Sequence, residues 1–209
     1  ATKSYMSQLV AIYIFAAYLA KYMKNDIIIS DKILNSLYDI PEVIDNFLKK
    51  ENEIKELSLK YKYAKNFFFL ARGLSYPTAL EGALKLKEIT HIAAEGYASG
   101  ELKHGPLALI EDNVPVVVIA PKGPSYDGTM NNMEEVQSRG ADVIAIVSEE
   151  EDLDDLEYQD VILMDKTIGE LFAPLVYVVP LQLLSYYICV FKNLDPDMPR
   201  SLGRSITVN

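Results

Sequence analysis

Two carboxylates and two lysines cluster in the run EGALKLKE: Glu81, Lys85, Lys87 and Glu88. On a helix turning 100° per residue, Glu81, Lys85 and Glu88 share an arc of roughly 60°. Ala79, Leu80, Ala83, Leu84 and Leu86 occupy the other side. Spacings of i,i+4 and i,i+3 let the Lys85 ammonium meet both carboxylates. A carboxylate kept ionised beside an ammonium is competent to take a proton from carbon. An isolated stripe of this kind is also what an ordinary solvated helix face looks like. Lys87 projects into the apolar arc, so it either snorkels past the core or reaches a ligand. Further on, Gly96, Gly100 and Gly105 punctuate a polar loop that holds Glu95, Glu101, Lys103 and His104. A histidine held there either transfers protons near neutral pH or caps a turn. The other histidine, His91, directly follows the helix and reads as its C-terminal cap.

Hydrophobic periodicity gives the elements that must position these groups. Short apolar runs at 67–71, 114–120, 143–147 and 161–164 read as buried strands. Helical patterns at 77–90, 132–139 and 173–191 lie between and after them, and the acidic run 149–157 reads as a solvated turn and helix end. Continuous Val/Ile strands alternating with helices predict a parallel sheet of about four to five strands with helices on both faces. Upstream, 6–23 is an apolar helix, and 30–50 has helical spacing with Pro41 at a break where a second helix can start. Ser7-Gln8-Leu9 in the opening helix is echoed by Leu181-Gln182-Leu183 in the closing one, as if the chain held the end of one α/β unit and the whole of a second. The expected division is 1–25 as the last helix of a truncated first unit, 26–60 as a helical linker and the first helix of the next unit, 61–192 as the second unit and 193–209 as a tail reaching the site.

With 20 basic and 30 acidic residues the net charge is −10, which disfavours nucleic acid as a partner. The single cysteine, Cys189, lies in an apolar run and reads as a small core residue, and one thiol rules out a cysteine-rich metal site. The first apolar run carries Lys3 and Gln8 and leads into Lys21 and Lys24, unlike a cleavable signal. The stretch 171–191 has no formal charge and the length of a membrane span. Pro174, Pro180, Gln182 and its tyrosines fit a helix buried in a layered α/β protein better. Neither a membrane nor a metal or cofactor is expected, and the location expected is cytoplasmic.

Glu81 to Glu88, followed by Gly100-Glu101-Leu102-Lys103-His104-Gly105-Pro106, resembles the second sugar-isomerase (SIS) subdomain of the glucosamine-6-phosphate synthases. Asp197-Met198-Pro199-Arg200, the tail Ser205-Ile206-Thr207-Val208, and Thr2-Lys3 with Gln8-Leu9 are similar to that family as well. The resemblance implies a flavodoxin-like SIS fold preceded by helices of a truncated first SIS subdomain. It implies the isomerase portion of an enzyme that makes glucosamine 6-phosphate from fructose 6-phosphate, with ammonia taken from glutamine. By the same resemblance, Glu88 moves the proton between sugar C1 and C2, Lys85 stands beside it, and His104 opens the ring from the partner subunit of a homodimer. Glu81, Ala1 and Arg204 fall on the substrate side.

Three departures accompany the resemblance. The 209 residues contain no sequence resembling the family's glutaminase domain, and the family's phosphate-binding Ser/Thr loop would lie upstream of Ala1, itself at a position where the family often has serine. Arg204 stands where the family usually has an imine-forming lysine. A guanidinium remains protonated and is a poor nucleophile, but it can hold a sugar or its phosphate. Either the imine step is dispensable, or another lysine such as Lys103 serves, or the activity is that of a related phosphosugar isomerase or deaminase. A non-catalytic sugar-phosphate sensor on the same fold is the further alternative. The isolated chain is expected to turn over poorly.

Overall fold

The computed structural model describes residues 2–23, 26–148 and 160–200. Three helices come first: α1 (Thr2–Met23), α2 (Ile27–Leu48) and α3 (Glu51–Tyr61). Then follow β1 (Asn66–Ala71), α4 (Tyr76–Thr90), β2 (Ala93–Ala98), β3 (Pro115–Ala120), α5 (Tyr126–Gln137), β4 (Asp142–Ser148) and β5 (Asp160–Met164). A short α6 (Ala173–Val176) and α7 (Val178–Phe191) close the fold. The strands form a sheet ordered β2-β1-β3-β4-β5 with every pairing parallel. This is the flavodoxin-like order, as expected, and its direction of winding switches between β1 and β3.

Period-two alternation sends successive side chains to opposite faces of the sheet. Phe67, Phe69, Val117, Ile119, Ile144 and Ile146 pack on one face with Ala79, Ala83 and Leu86 of α4 and Leu181, Leu184 and Ile188 of α7. Phe68, Leu70, Val116, Val118, Val143 and Ala145 pack on the other with Met130, Met133 and Val136 of α5 and with Leu102 and Leu107. Both faces are covered, which is why the central strands read as unbroken apolar runs. Asp160 on β5 accepts hydrogen bonds from Tyr61 (2.7 Å) and Lys60 (2.8 Å), tying the end of α3 to the sheet edge.

Several elements differ from the pattern in the sequence. β2 was read as part of the glycine loop, because AAEGYA has no β-branched residue and lies at the sheet edge. Gly96 therefore belongs to a strand. A Cβ there would lie 3.0 Å from the backbone of Ala79 and Leu80, so glycine is what lets α4 lie against β2. Pro41 does not break α2, which continues through it. The proline is exposed, so water can satisfy the carbonyl it leaves unpaired, while Ile33, Ile40 and Phe47 hold the helix on the core. The closing helix is interrupted at Tyr177, and the break places Pro180 in the first turn of α7, where a missing N–H costs no bond. α5 begins at Tyr126, ahead of the polar stretch that obscured its start.

Two helical stretches are long and apolar enough to cross a membrane by length and composition, Thr2–Met23 and Ala173–Phe191. The second is 67% buried inside the protein, so sheet packing explains its composition. Residues 149–157, the acidic run, lie outside the described residues.

Candidate active site

α4 opens on Pro77 in its first turn and stops at His91, which takes a left-handed conformation (φ 59°) and returns its N–H to Lys87 O at 3.2 Å. His91 is thus the cap its position predicts. At Gly82 a Cβ would lie 2.7 Å from Leu181 Cδ1 and 3.1 Å from the Phe69 ring, so this glycine sets how closely α7 approaches α4. The consequence is that α4 is buried around most of its circumference. The charged stripe is not a solvated face: Lys85 is only 6% exposed, while Leu80 (43%) and Leu84 (41%) point outward. Lys87 is exposed and neither snorkels through the core nor lines the cavity described below.

Lys85 Nζ donates to Glu88 Oε2 at 2.6 Å and stands 3.8 Å from Glu81 Oε1. Glu81 Oε1 is buried and has no hydrogen-bond partner among the described residues. Burial pushes the Glu81 carboxyl above its ordinary range, with the Lys85 ammonium opposing and the Glu88 charge adding. The pair opens into a cavity of about 620 Å³. Lys85, Glu88 and Ile89 form one wall, Thr2, Lys3 and Ser4 of α1 a second, Gln182, Ser185 and Tyr186 of α7 a third, and Pro196, Asp197 and Pro199 return across it. α1 is docked there by its tyrosines. Tyr5 Oη lies 3.1 Å from Thr78 Oγ1, and Tyr13 donates to the Leu171 carbonyl and packs on Phe172 at 5.2 Å between ring centroids. Burial pushes the Tyr13 phenol up to about 12 and raises Tyr5 as well, so both remain donors.

His104 ends a 3₁₀ turn, Ser99–His104, that leaves β2. Arg72, just past β1, fastens this turn: Nε donates to Ser99 Oγ at 3.2 Å, and Nη2 to Asn132 Oδ1 of α5 at 2.9 Å. Lys103 pairs with Glu135 of α5 at 3.5 Å and does not line the cavity. The His104 ring is 75% exposed, with Glu101 Oε2 at 4.0 Å, and does not line the cavity either. Within one chain, therefore, Glu81, Lys85 and Glu88 are brought together and His104 stands apart. Ala1 and Arg204 lie outside the described residues.

The crevice at the switch point, a frequent ligand position in this fold, holds a cavity of about 420 Å³ beside Arg72, Gly73, Ser125 and Gly128. Glu170 Oε2 accepts the Ser125 N–H before α5 at 3.0 Å, and Gly73 and Gly123 leave room for that carboxylate. Sequence reasoning passed over the α7 wall and the Arg72 clamp. The one available signal was Gln182, a carboxamide alone in a long uncharged stretch.

Fold and cavity together define a doubly wound α/β unit with an internal, ion-paired carboxylate exposed to a ligand-sized space. The family model for the SIS domain matches residues 60–191, and the chain belongs to that family. It is 48% identical over 208 residues to the glutamine–fructose-6-phosphate aminotransferase (isomerizing) of Methanothermobacter thermautotrophicus, matching 100% of this chain and 34% of that protein. It is 46% identical to the enzyme of the same name from Thermococcus kodakarensis, again over 100% of this chain and 34% of the relative. The C-terminal domain of glucosamine-fructose-6-phosphate aminotransferase from Francisella tularensis superposes with a TM-score of 0.86 at 40% identity, covering 93% of this chain and 55% of that one. The chain thus spans about a third of the length of the curated relatives it matches.

Proposed function

We propose that this chain is the sugar-isomerase part of a cytoplasmic enzyme that converts fructose 6-phosphate and ammonia derived from glutamine into glucosamine 6-phosphate. One observation carries the reading: a buried Lys85 bonded at 2.6 Å to a Glu88 that faces the cavity, in a chain 48% identical to a relative bearing that activity in its name. Conversion of the ketose needs a base that takes the proton from C1 and returns it to C2. Glu88 is that base. Lys85 bonds its carboxylate at 2.6 Å and fixes the oxygen it uses. Glu81, beyond Lys85 and not itself lining the cavity, completes the charged row. Ammonia adds at C2 with loss of water, and the proton transfer from C1 to C2 then yields the amino aldose.

Ring opening requires a second acid–base group acting on the ring oxygen. His104 has that role, supplied by a second copy in a homodimer; its exposure and its distance from the cavity of its own chain support this arrangement. Arg204 and Ala1 are the further substrate-binding positions of this reading, and the described part of the 193–209 tail borders the cavity. The test is to supply the intact protein with fructose 6-phosphate and ammonium and to follow glucosamine 6-phosphate by NMR. Accumulation of the amino sugar is expected. Binding without any conversion would replace this reading with a sugar-phosphate sensor.

A further inference from the structure

We infer that Gln182 touches the reacting end of the sugar and donates a hydrogen bond to the oxygen at C2, an inference that rests on the isomerase reading above. α7 presents Gln182, Ser185 and Tyr186 to the cavity, the i, i+3 and i+4 stripe of one helix face. The Ser185 hydroxyl is already spent on Leu181 O at 2.8 Å, within its own helix. The Lys85 ammonium is engaged by Glu88. Gln182 differs from both: its Nε2 is buried and has no acceptor among the described residues. Buried donors in folded proteins are almost always satisfied, and one left without a partner beside a cavity calls for an acceptor from outside the chain.

Its flanking residues argue that the placement is specific. Leu181 and Leu184 are 1% exposed and pack in the core. Gln182 itself is half-buried, the one carboxamide in a stretch otherwise rich in leucine, valine and aromatic residues. Gly82 allows Leu181 to approach α4 closely, and Gln182, next in sequence, lines the same cavity as Lys85 and Glu88.

Isomerisation without ammonia, in which O2 stays on the sugar, needs such a donor. When Glu88 takes the C1 proton, the C–H electron pair becomes the C1–C2 double bond and the C2 carbonyl electrons move onto O2. A neutral, pre-oriented N–H at O2 stabilises that charge without competing for the proton on Glu88. The O1 hydroxyl proton then passes to O2, the O1 electrons form the C1 carbonyl, and the C1–C2 double-bond pair takes the proton from Glu88 at C2.

The experiment uses the intact protein and fructose 6-phosphate, with isomerisation to glucose 6-phosphate measured for wild type, Gln182→Met and Gln182→Glu. Met keeps the length of the side chain and removes the donor. Loss of one such donor lowers kcat about 10²–10³-fold; KM is expected to change by only a few-fold, with Tm maintained. Gln182→Glu is expected to be at least as impaired at pH 8, and its deficit relative to wild type narrows as the pH falls and a protonated carboxyl donates again. That narrowing would not arise from a packing role, and it is read even if the Met variant folds poorly. A Gln182→Met enzyme turning over within about threefold of wild type, or a Gln182→Glu deficit independent of pH, overturns the inference and leaves Glu88 chemistry intact. A wild type that neither isomerises nor exchanges protons overturns the isomerase reading itself.

Discussion

Gly82→Ala tests whether the approach of α7 to α4 governs the site. A Cβ at this position would meet Leu181 Cδ1 at 2.7 Å and the Phe69 ring at 3.1 Å. Apolar carbons rest about 3.5–4.0 Å apart, so relief requires a displacement of roughly 0.8–1.3 Å. Leu181 is 1% exposed and Phe69 is fully buried, so neither side chain has a free rotamer to adopt. Overpacking of this kind costs about 1–3 kcal/mol, and the better helix propensity of alanine returns about 1 kcal/mol. The net loss is about 0–2 kcal/mol, worth roughly 2–4 °C of Tm for each kcal/mol in a protein of this size. Function is expected to suffer more, because a shift of about 1 Å at a catalytic wall can cost ~10²-fold in rate. Scanning calorimetry and the isomerisation assay on the same preparations separate the two effects. Leu181→Val, which removes the obstructing methyl, should restore part of the rate in the Gly82→Ala background. A Gly82→Ala protein with raised Tm and unaltered turnover would refute the reasoning.

Three further outcomes are expected. Lys85→Met leaves two carboxylates facing each other in a buried row, and by the usual cost of breaking a buried pair it should lose about 3 kcal/mol in urea unfolding. Stability equal to wild type would mean that Lys85 is not holding the row together. The Glu81 carboxyl is raised by burial, so the folded chain holds a proton that the unfolded chain releases, and wild-type stability falls as pH rises from the ordinary carboxylate range through the raised value. Glu81→Gln removes that penalty, so its Tm relative to wild type should climb between acid and neutral pH; a difference that is flat or declines with pH would contradict this. Gly73→Ala puts a side chain at φ +53° and against Glu170 Oε1. It should cost about 1–2 kcal/mol from the left-handed backbone alone, and in a double-mutant cycle its cost and that of Glu170→Ala should not add.

The sheet was largely legible because its central strands are buried on both faces, and Val116–Ile119 and Val143–Val147 carry the composition that such strands require. β2 was not, because an edge strand lying against a helix backbone selects small residues, and Gly96 reads as loop in the absence of Ala79 and Leu80. Periodicity placed Glu81, Lys85 and Glu88 on one side of α4 but could not tell inside from outside. A helical wheel gives angles and not neighbours, and it is α7 and α1 that cover this side. The type of Gln182 was visible, whereas its meaning depends on a missing acceptor that only coordinates reveal. Pro41 and Pro180 show the same limit: each marks a cost to a helix, and packing decides whether the helix ends there.

The role of Glu88 is tested most directly by proton exchange at C2 of the sugar phosphate in deuterated water, comparing the intact wild-type protein with Glu88→Gln. Deuterium should enter C2 of glucose 6-phosphate with the wild type and should fail to enter with Glu88→Gln, whose amide keeps the shape of the side chain and cannot take the proton. Exchange that survives the substitution would mean that another group is the base.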